Sequence, residues 1–187
     1  MKNFWLLILL VLINCKKQNV NENIKTELEK IPEIKYGKSF FDYDQIDYYQ
    51  IDFKENQITE LDSNKEKSKI DMLKYKLIID ETPTNINDLE FLNYMNKIGY
   101  SKKEIDTSKF KQMDKVFIEK TESTGYTAAC IPVFRDILIF KKRRKVVGIV
   151  KICFECHQYR IIGTNANIDN FGSDSDYDQL GRILEQN

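Results

Sequence analysis

Histidine, proline and glycine are scarce in this 187-residue sequence, which contains one, three and seven of them respectively. Because glycine and proline are few and no internal repeat occurs, the chain belongs to neither the fibrous nor the solenoid class. The single histidine, His157, follows Cys156, and the chain has no Gly-x-Ser-x-Gly motif, so serine-hydrolase chemistry is excluded. Glycine-rich phosphate-binding loops are absent as well.

The sequence also lacks an excess of charge of either sign. Lys and Arg together number 29, as do Asp and Glu, so the formal net charge at pH 7 is zero. Proteins that bind nucleic acids use a basic excess to displace counterions from phosphate. We therefore expect no nucleic-acid partner.

The longest apolar run is at the start of the chain, from Phe4 to Ile13. A transmembrane helix needs about 20 apolar residues to cross the hydrocarbon core, and this run is about half that length. A short apolar run after a basic residue and before a polar stretch is typical of a signal peptide. The run therefore predicts export of the protein.

The residues that end this run, Leu12-Ile13-Asn14-Cys15, resemble the lipobox of bacterial lipoproteins. In that family the cysteine carries lipid and becomes the first residue of the mature chain. The resemblance implies that Cys15 anchors the protein to a membrane of the cell envelope. Lys16 and Lys17 stand where an aspartate would signal retention in the inner membrane, so the resemblance favours the outer membrane.

The rest of the chain predicts one domain. An apolar content of 42% is ordinary for a globular fold, and the length suits a single hydrophobic core. The residues after Cys15 are polar and without periodicity, as in a flexible tether. The predicted divisions are a signal peptide at 1–14, the lipidated cysteine with its tether at 15–30, and a globular domain at 31–187.

The pattern of apolar residues predicts an α+β fold with an antiparallel sheet of two hairpins. Residues 40–53 and 72–79 predict one pair of strands, and residues 133–140 and 146–154 predict a second pair. Apolar spacings of three and four predict an amphipathic helix over 86–98, capped by Asn85 or Asn87 and ended by Gly99. A further helix is predicted over 175–185. We expect both helices to pack on the sheet.

Cys130, Cys153, Cys156 and His157 are the residues of the mature chain that most call for a chemical explanation. Three cysteines besides Cys15 are an odd number in an oxidising compartment, where thiols tend to pair. The simplest interpretation is a disulfide that joins Cys130 to Cys153 or Cys156, or one that joins Cys153 to Cys156. Disulfide exchange by these thiols is the catalytic form of the same hypothesis.

Two cofactor interpretations of the same cluster stay open. The sequence Cys153-Phe154-Glu155-Cys156-His157 resembles the CxxCH motif of c-type cytochromes, in which thioethers fix a haem and the histidine binds its iron. Cys130, Cys153, Cys156 and His157 would also supply the ligands of a Cys₃His zinc site. The β-type run that leads into the motif, and the lack of glycine or proline between the cysteines, weigh against both. We expect no cofactor.

A second pattern lies near the C-terminus, where Asp174, Asp176 and Asp178 alternate and Glu185 occupies the twelfth position of a possible EF-hand calcium loop. Gln179 replaces the required glycine at position six. The alternative is a helix N-terminus capped by Ser173 or Ser175, whose aspartates oppose the helix dipole.

These observations favour a lipid-anchored envelope protein with a non-enzymatic binding or structural domain. Its expected partners are the membrane and another envelope protein. The alternative is a thiol-based site protein that uses Cys130 with the Cys153–His157 segment to bind zinc or haem, or to exchange disulfides.

Overall fold

A computed structural model describes residues 35–121 and 129–186 of the chain. Their fold is α+β, as the sequence predicts, and its centre is an antiparallel five-stranded sheet. The described strands are β1 (Tyr36–Ser39), β2 (Gln45–Gln50), β3 (Ser101–Glu104), β4 (Ile118–Lys120), β5 (Asp136–Lys142), β6 (Lys145–Cys153) and β7 (Gln158–Ile162). The described α-helices are α1 (Glu55–Ser63), α2 (Lys69–Ile78), α3 (Met95–Ile98), α4 (Phe110–Val116) and α5 (Asp174–Glu185).

The strands of the large sheet lie in the order β3-β2-β5-β6-β7, and β1 pairs separately with β4. The predicted hairpin of β5 and β6 is confirmed, with Leu138 opposite Val150. Arg143 and Arg144 form its turn with positive φ values of 48° and 67°. Asp136 and Cys153 therefore lie at the other end of the sheet, away from this turn.

Apolar side chains cover both faces of the sheet. On the first, here called the α5 face, Ile46, Leu138 and Val150 pack with helices α4 and α5. On the second, the α2 face, Ile137, Ile139 and Ile149 pack with helices α1, α2 and α3. Because side chains alternate along a strand, β5 supplies both cores with apolar residues. Its continuous apolar run from Ile137 to Phe140 is thus explained by burial on two sides.

The predicted strand over residues 72–79 is wrong, because these residues lie in helix α2. The Ser68 hydroxyl accepts a hydrogen bond from the backbone N–H of Asp71 and caps the helix. Leu77 and Ile78 are fully buried against the sheet. The first predicted hairpin is therefore also wrong, since β2 pairs with β3 and β5 instead.

The predicted helix over residues 86–98 is only partly formed. A 3₁₀ turn at Glu90–Asn93 precedes α3, and Tyr94 separates the two. Asn85 does not cap a helix, because its side-chain oxygen accepts the N–H of Asn87 in a local turn. Gly99 ends α3 with a φ of 110°, as predicted. The apolar spacing still identifies the buried side chains, which are Phe91, Met95 and Ile98.

Candidate functional site

The cysteine and histidine motif forms a turn between strands β6 and β7. Cys153 is the last residue of β6 and pairs with Gln158, the first residue of β7. Residues 154–157 close the turn, and His157 has a φ of 48°. The motif therefore lies at the end of the sheet where Asp136 begins β5.

Cys130 and Cys156 form a disulfide, with their Cα atoms 6.0 Å apart and a sequence separation of 26 positions. This pairing is one of the three alternatives left open by the sequence. Closing a loop of this length constrains the unfolded chain by roughly 3 kcal/mol. Cys153 is a buried free cysteine. Its sulfur accepts the backbone N–H of Val133 at 3.3 Å.

The disulfide bears on both cofactor interpretations. While Cys156 is bonded to Cys130, its sulfur can form neither a thioether to haem nor a thiolate bond to zinc, so neither motif can operate while the disulfide is present. Across the described residues, no group of three or more His, Cys, Asp or Glu side chains could hold a metal ion. The four proposed zinc ligands are thus divided between a disulfide, a buried thiol and a stacked imidazole.

His157 faces helix α5. Its ring stacks on Tyr177, with centroids 4.4 Å apart and planes 15° from parallel. Its Nδ1 atom lies 3.2 Å from an oxygen of Asp174. The histidine therefore connects the turn at the end of the sheet to the first turns of helix α5.

The proposed calcium ligands lie along helix α5 and do not converge. Ser173 caps this helix, and its hydroxyl accepts the N–H of Asp176. Asp176 in turn accepts the N–H of Ser173 and pairs with Lys120. Asp174 approaches His157, and Asp178 and Glu185 border a cleft. The structure thus forms the capped helix that was the alternative to an EF-hand loop.

A cleft of about 730 Å³ opens on the α5 face, between the end of the sheet and helix α5. We call it the helix cleft. Its walls come from β2, β3, β5, the β6–β7 turn and α5. The side chains that line it are Tyr48, Gln50, Lys103, Asp136, Phe154, His157, Tyr177, Asp178, Arg182, Leu184 and Glu185, and Gly181 contributes backbone.

Asp136 supplies a buried carboxyl group to this cleft. It is 7% exposed, and one of its oxygens accepts the hydroxyl of Tyr48 at 2.5 Å. Burial raises the pKa of Asp136, and the hydrogen bonds from Tyr48 and Gln50 oppose this shift only in part. Burying a carboxyl group is costly unless it has hydrogen-bond partners. A carboxyl group with a shifted pKa in the wall of a cleft is a candidate for a functional site, so Asp136 is a candidate for contact with a ligand.

Sequence reasoning missed most residues of the helix cleft, and it named His157, Asp178 and Glu185 only as candidates for other sites. Tyr48, Lys103, Asp136 and Arg182 are far apart in the chain and belong to no common motif. One signal was present, since Asp136 is a charged residue directly before the apolar run of a strand that is buried on both faces. The predicted motif contributed His157 and Phe154 to the cleft but not the buried carboxyl group of Asp136.

A second cleft, of about 870 Å³, includes the disulfide in its wall. We call it the disulfide cleft. It lies beside helix α1, and Ile131, with 68% of its surface exposed, borders it. Its other lining residues include Phe53, Ile58, Tyr75, Arg135 and Glu155. The β6–β7 turn thus contributes to both clefts, through Phe154 and His157 in one and Glu155 and Cys156 in the other.

Comparison with known proteins does not assign the chain to a family. No known protein family, curated protein or solved structure matches it. Within the described parts of the chain, no helix is long and apolar enough to cross a membrane. The proposed lipidation site, Cys15, lies outside the described residues.

Proposed function

We propose that this protein is a lipid-anchored component of the bacterial cell envelope, and that its domain binds a small polar ligand in the helix cleft without transforming it. The observation that carries the proposal is the buried, hydrogen-bonded carboxyl of Asp136 in the wall of a cleft with a polar rim. Most ligand sites are concave and place a few fixed polar groups among apolar walls. The cleft of about 730 Å³ is within the usual range for such sites.

The charges around the cleft indicate the chemistry of the ligand. Lys103 and Arg182 offer donors, and Asp178 and Glu185 offer acceptors. Because both signs are present, the cleft suits a ligand with donors and acceptors rather than a polyanion. Tyr48 and Phe154 add aromatic surface. A short peptide or a sugar of one or two rings has this chemistry.

The described lining of the cleft offers polar contacts to a ligand but no aliphatic hydroxyl or thiol nucleophile. The described residues that line it include no serine, threonine or cysteine, and thus no aliphatic hydroxyl or thiol that could act as a nucleophile. The Asp136 carboxyl is already held by Tyr48. Burial and this carboxyl also raise the pKa of Tyr48, so its hydroxyl stays protonated at neutral pH.

The location in the envelope is supported by the lipobox-like residues that end at Cys15. A lipoprotein anchor of several acyl chains binds stably, because each buried CH₂ contributes about 0.8 kcal/mol. Lys16 and Lys17 favour the outer membrane. The balanced charge of the chain favours an envelope ligand or protein over a nucleic acid.

A titration with a panel of defined probes tests the cleft. Amino acids, tripeptides, monosaccharides and disaccharides are added to ¹⁵N-labelled protein, and amide shifts are followed. We expect at least one probe to shift Gln50, Lys103, His157 and Arg182 together. Arg182→Gln should lower the affinity for that probe by about tenfold or more, because a hydrogen bond from a charged group contributes about 1.5–3 kcal/mol.

Arg144→Gln is the matched control, because Arg144 is an exposed arginine in the β5–β6 turn at the opposite end of the sheet. It should leave the affinity unchanged. The proposal is wrong if every probe leaves the cleft amides unmoved, or if both arginine variants bind the probe as the wild type does.

A further inference from the structure

Cys153 and the disulfide pack against the same short segment of chain. The Cys153 sulfur accepts the N–H of Val133, and Cys156 is bonded to Cys130, three residues before Val133. The Cys156 sulfur lies 3.5 Å from the carbonyl oxygen of Ile131. Cys153, Cys156 and Phe134 form one buried cluster. A free thiol and a disulfide thus share one small volume.

We propose that the Cys153 thiol exchanges with this disulfide, so that the protein interconverts between a Cys130–Cys156 and a Cys153–Cys156 form. The Cys153 thiol first loses its proton to solvent. Its thiolate attacks the Cys156 sulfur, the Cys153–Cys156 bond forms, and the bond to Cys130 breaks. Cys130 leaves as a thiolate and takes up a proton, so no oxidant or reductant is consumed.

The hairpin geometry supports a bond between Cys153 and Cys156. Cys153 ends β6 and Gln158 begins β7 directly opposite it, so the chain reverses within residues 154–157. Cys156 lies in this reversal and packs in the same cluster as Cys153. The new bond would therefore close a small ring within the turn, while the present bond joins the turn to a separate segment.

The exchange would change how far the free thiol is exposed to solvent. Cys153 and Cys156 are 1% and 5% exposed, whereas Cys130 is an exposed residue in the wall of the disulfide cleft. Exchange would replace a buried thiol with one that solvent reaches, beside the exposed side chain of Ile131. The disulfide cleft would then carry a reactive thiol, a site for modification by a thiol-directed reagent or a partner's disulfide. This inference does not depend on the helix cleft.

Alkylation of the membrane-extracted, full-length protein tests the exchange. The protein is held with N-ethylmaleimide at pH 8 without reductant, quenched with acid, and digested with trypsin and then after glutamate. Cleavage after Arg135 separates Cys130 from Cys153, and cleavage after Glu155 separates Cys153 from Cys156, so each possible bond links a different pair of peptides. We expect singly labelled protein with the label on Cys130 and a link between Cys153 and Cys156, increasing with time.

A label on Cys153 with the Cys130–Cys156 bond retained would overturn the proposal, as would the absence of any label on Cys130. Reduced contaminant is distinguished because it would carry labels on Cys130, Cys153 and Cys156 alike. Cys153→Ala is the matched variant, and it should abolish labelling of Cys130. If labelling of Cys130 persists in this variant, intramolecular exchange is not its cause.

Cys130→Ser gives a second, independent readout. After treatment with oxidised glutathione, this variant should be monomeric, retain no alkylatable thiol in the domain, and show the Cys153–Cys156 link. Two thiols that remain alkylatable, or two stable glutathione adducts, would show that Cys153 and Cys156 cannot bond and would refute the exchange.

Discussion

Lys151 illustrates how one buried side chain can connect the sheet to a loop. It lies on the α2 face of β6, is completely buried, and donates to the carbonyl oxygens of Asp80 and Thr82 at 2.7 and 2.9 Å. Its Nζ atom also lies 4.4 Å from the centre of the Phe134 ring. Burial, and to a smaller extent the charge of Arg160, lower the pKa of Lys151 to about 7.

This shift predicts that stability depends on pH. The pKa of Lys151 falls from its ordinary 10.5 to about 7 on folding, so between these values the unfolded chain binds more protons. The free energy of unfolding should therefore rise with pH across this window, by up to about 1.4 kcal/mol per unit, and fall towards pH 7. Lys151→Met should reduce that slope in urea unfolding between pH 7.5 and 9.5.

All proteins in this series carry Cys153→Ala, so that thiol exchange does not contribute. Lys145→Met serves as the control, since Lys145 is an exposed lysine at the start of the same strand. It should keep the slope of the parent. Equal slopes in the parent and the Lys151→Met variant would contradict a neutral buried amine.

At the scale of an element, helix α5 contributes residues both to the core and to the helix cleft. Leu180 and Ile183 are buried against the sheet, while Asp178 and Arg182 line the helix cleft. Tyr177 is buried and also contributes to the lining of the cleft. The helix begins at a capping box in which Ser173 and Asp176 each accept the other's backbone N–H. Local hydrogen bonds therefore determine where the helix begins, and apolar packing determines which face of the helix is turned towards the sheet.

Ser173→Ala should lower the free energy of unfolding by about 1 kcal/mol, because the N–H of Asp176 loses the Ser173 hydroxyl as an acceptor and keeps only the Ser173 carbonyl oxygen. Urea denaturation at pH 7 measures this loss. The control is Ser63→Ala, which removes an exposed hydroxyl that donates to the Glu60 carbonyl near the end of α1. It should change stability by less than about 0.5 kcal/mol. Similar losses in the two variants would argue against a capping contribution.

At the scale of the whole molecule, the described domain places the helix cleft and the disulfide cleft at one end of the central sheet. The helix cleft belongs to the α5 face, and the disulfide cleft lies beside α1 on the other. The β6–β7 turn supplies residues to both. Ligand binding and thiol chemistry are thus proposed for separate surfaces of the same turn.

The proposed anchor is a property of the whole chain and is tested in cells. Cys15→Ala should move the protein from the membrane fraction to the soluble fraction, because no acyl chains would remain to bind the bilayer. Fractionation followed by immunoblotting measures the distribution. Cys130→Ser is the control and should stay with the membrane. A Cys15→Ala variant that remains membrane-bound would disprove the lipid anchor.

Several features of the fold could be predicted because they depend on local pattern. Alternating and continuous apolar residues identified β5 and β6, and Gly99 marked the end of α3. The strand predicted over residues 72–79 is wrong because a short run of apolar and basic residues fits both the two-residue period of a strand and the 3.6-residue period of a helix. The spacing of Leu73 and Leu77 and the cap at Ser68 are what favour the helix.

Strands β3 and β7 could not be predicted in the same way. All four residues of β3 are exposed, so the strand has no apolar alternation that a sequence could show. All five residues of β7 are half-buried, so the strand has no alternation of buried and exposed positions that a sequence could show. Both are edge strands, and their backbone hydrogen bonds to β2 and β6 hold them in the sheet.

The sequence by itself determined the class of the fold, the capped C-terminal helix, the cysteine and histidine cluster and the lipobox-like start, since each depends on residues close together in the chain. Tertiary structure alone decided that Cys130 pairs with Cys156, that Cys153 stays free, and that Asp136, Tyr48 and Arg182 share a cleft. These are contacts between distant segments, fixed by strand order and by the packing of helix α5 on the sheet.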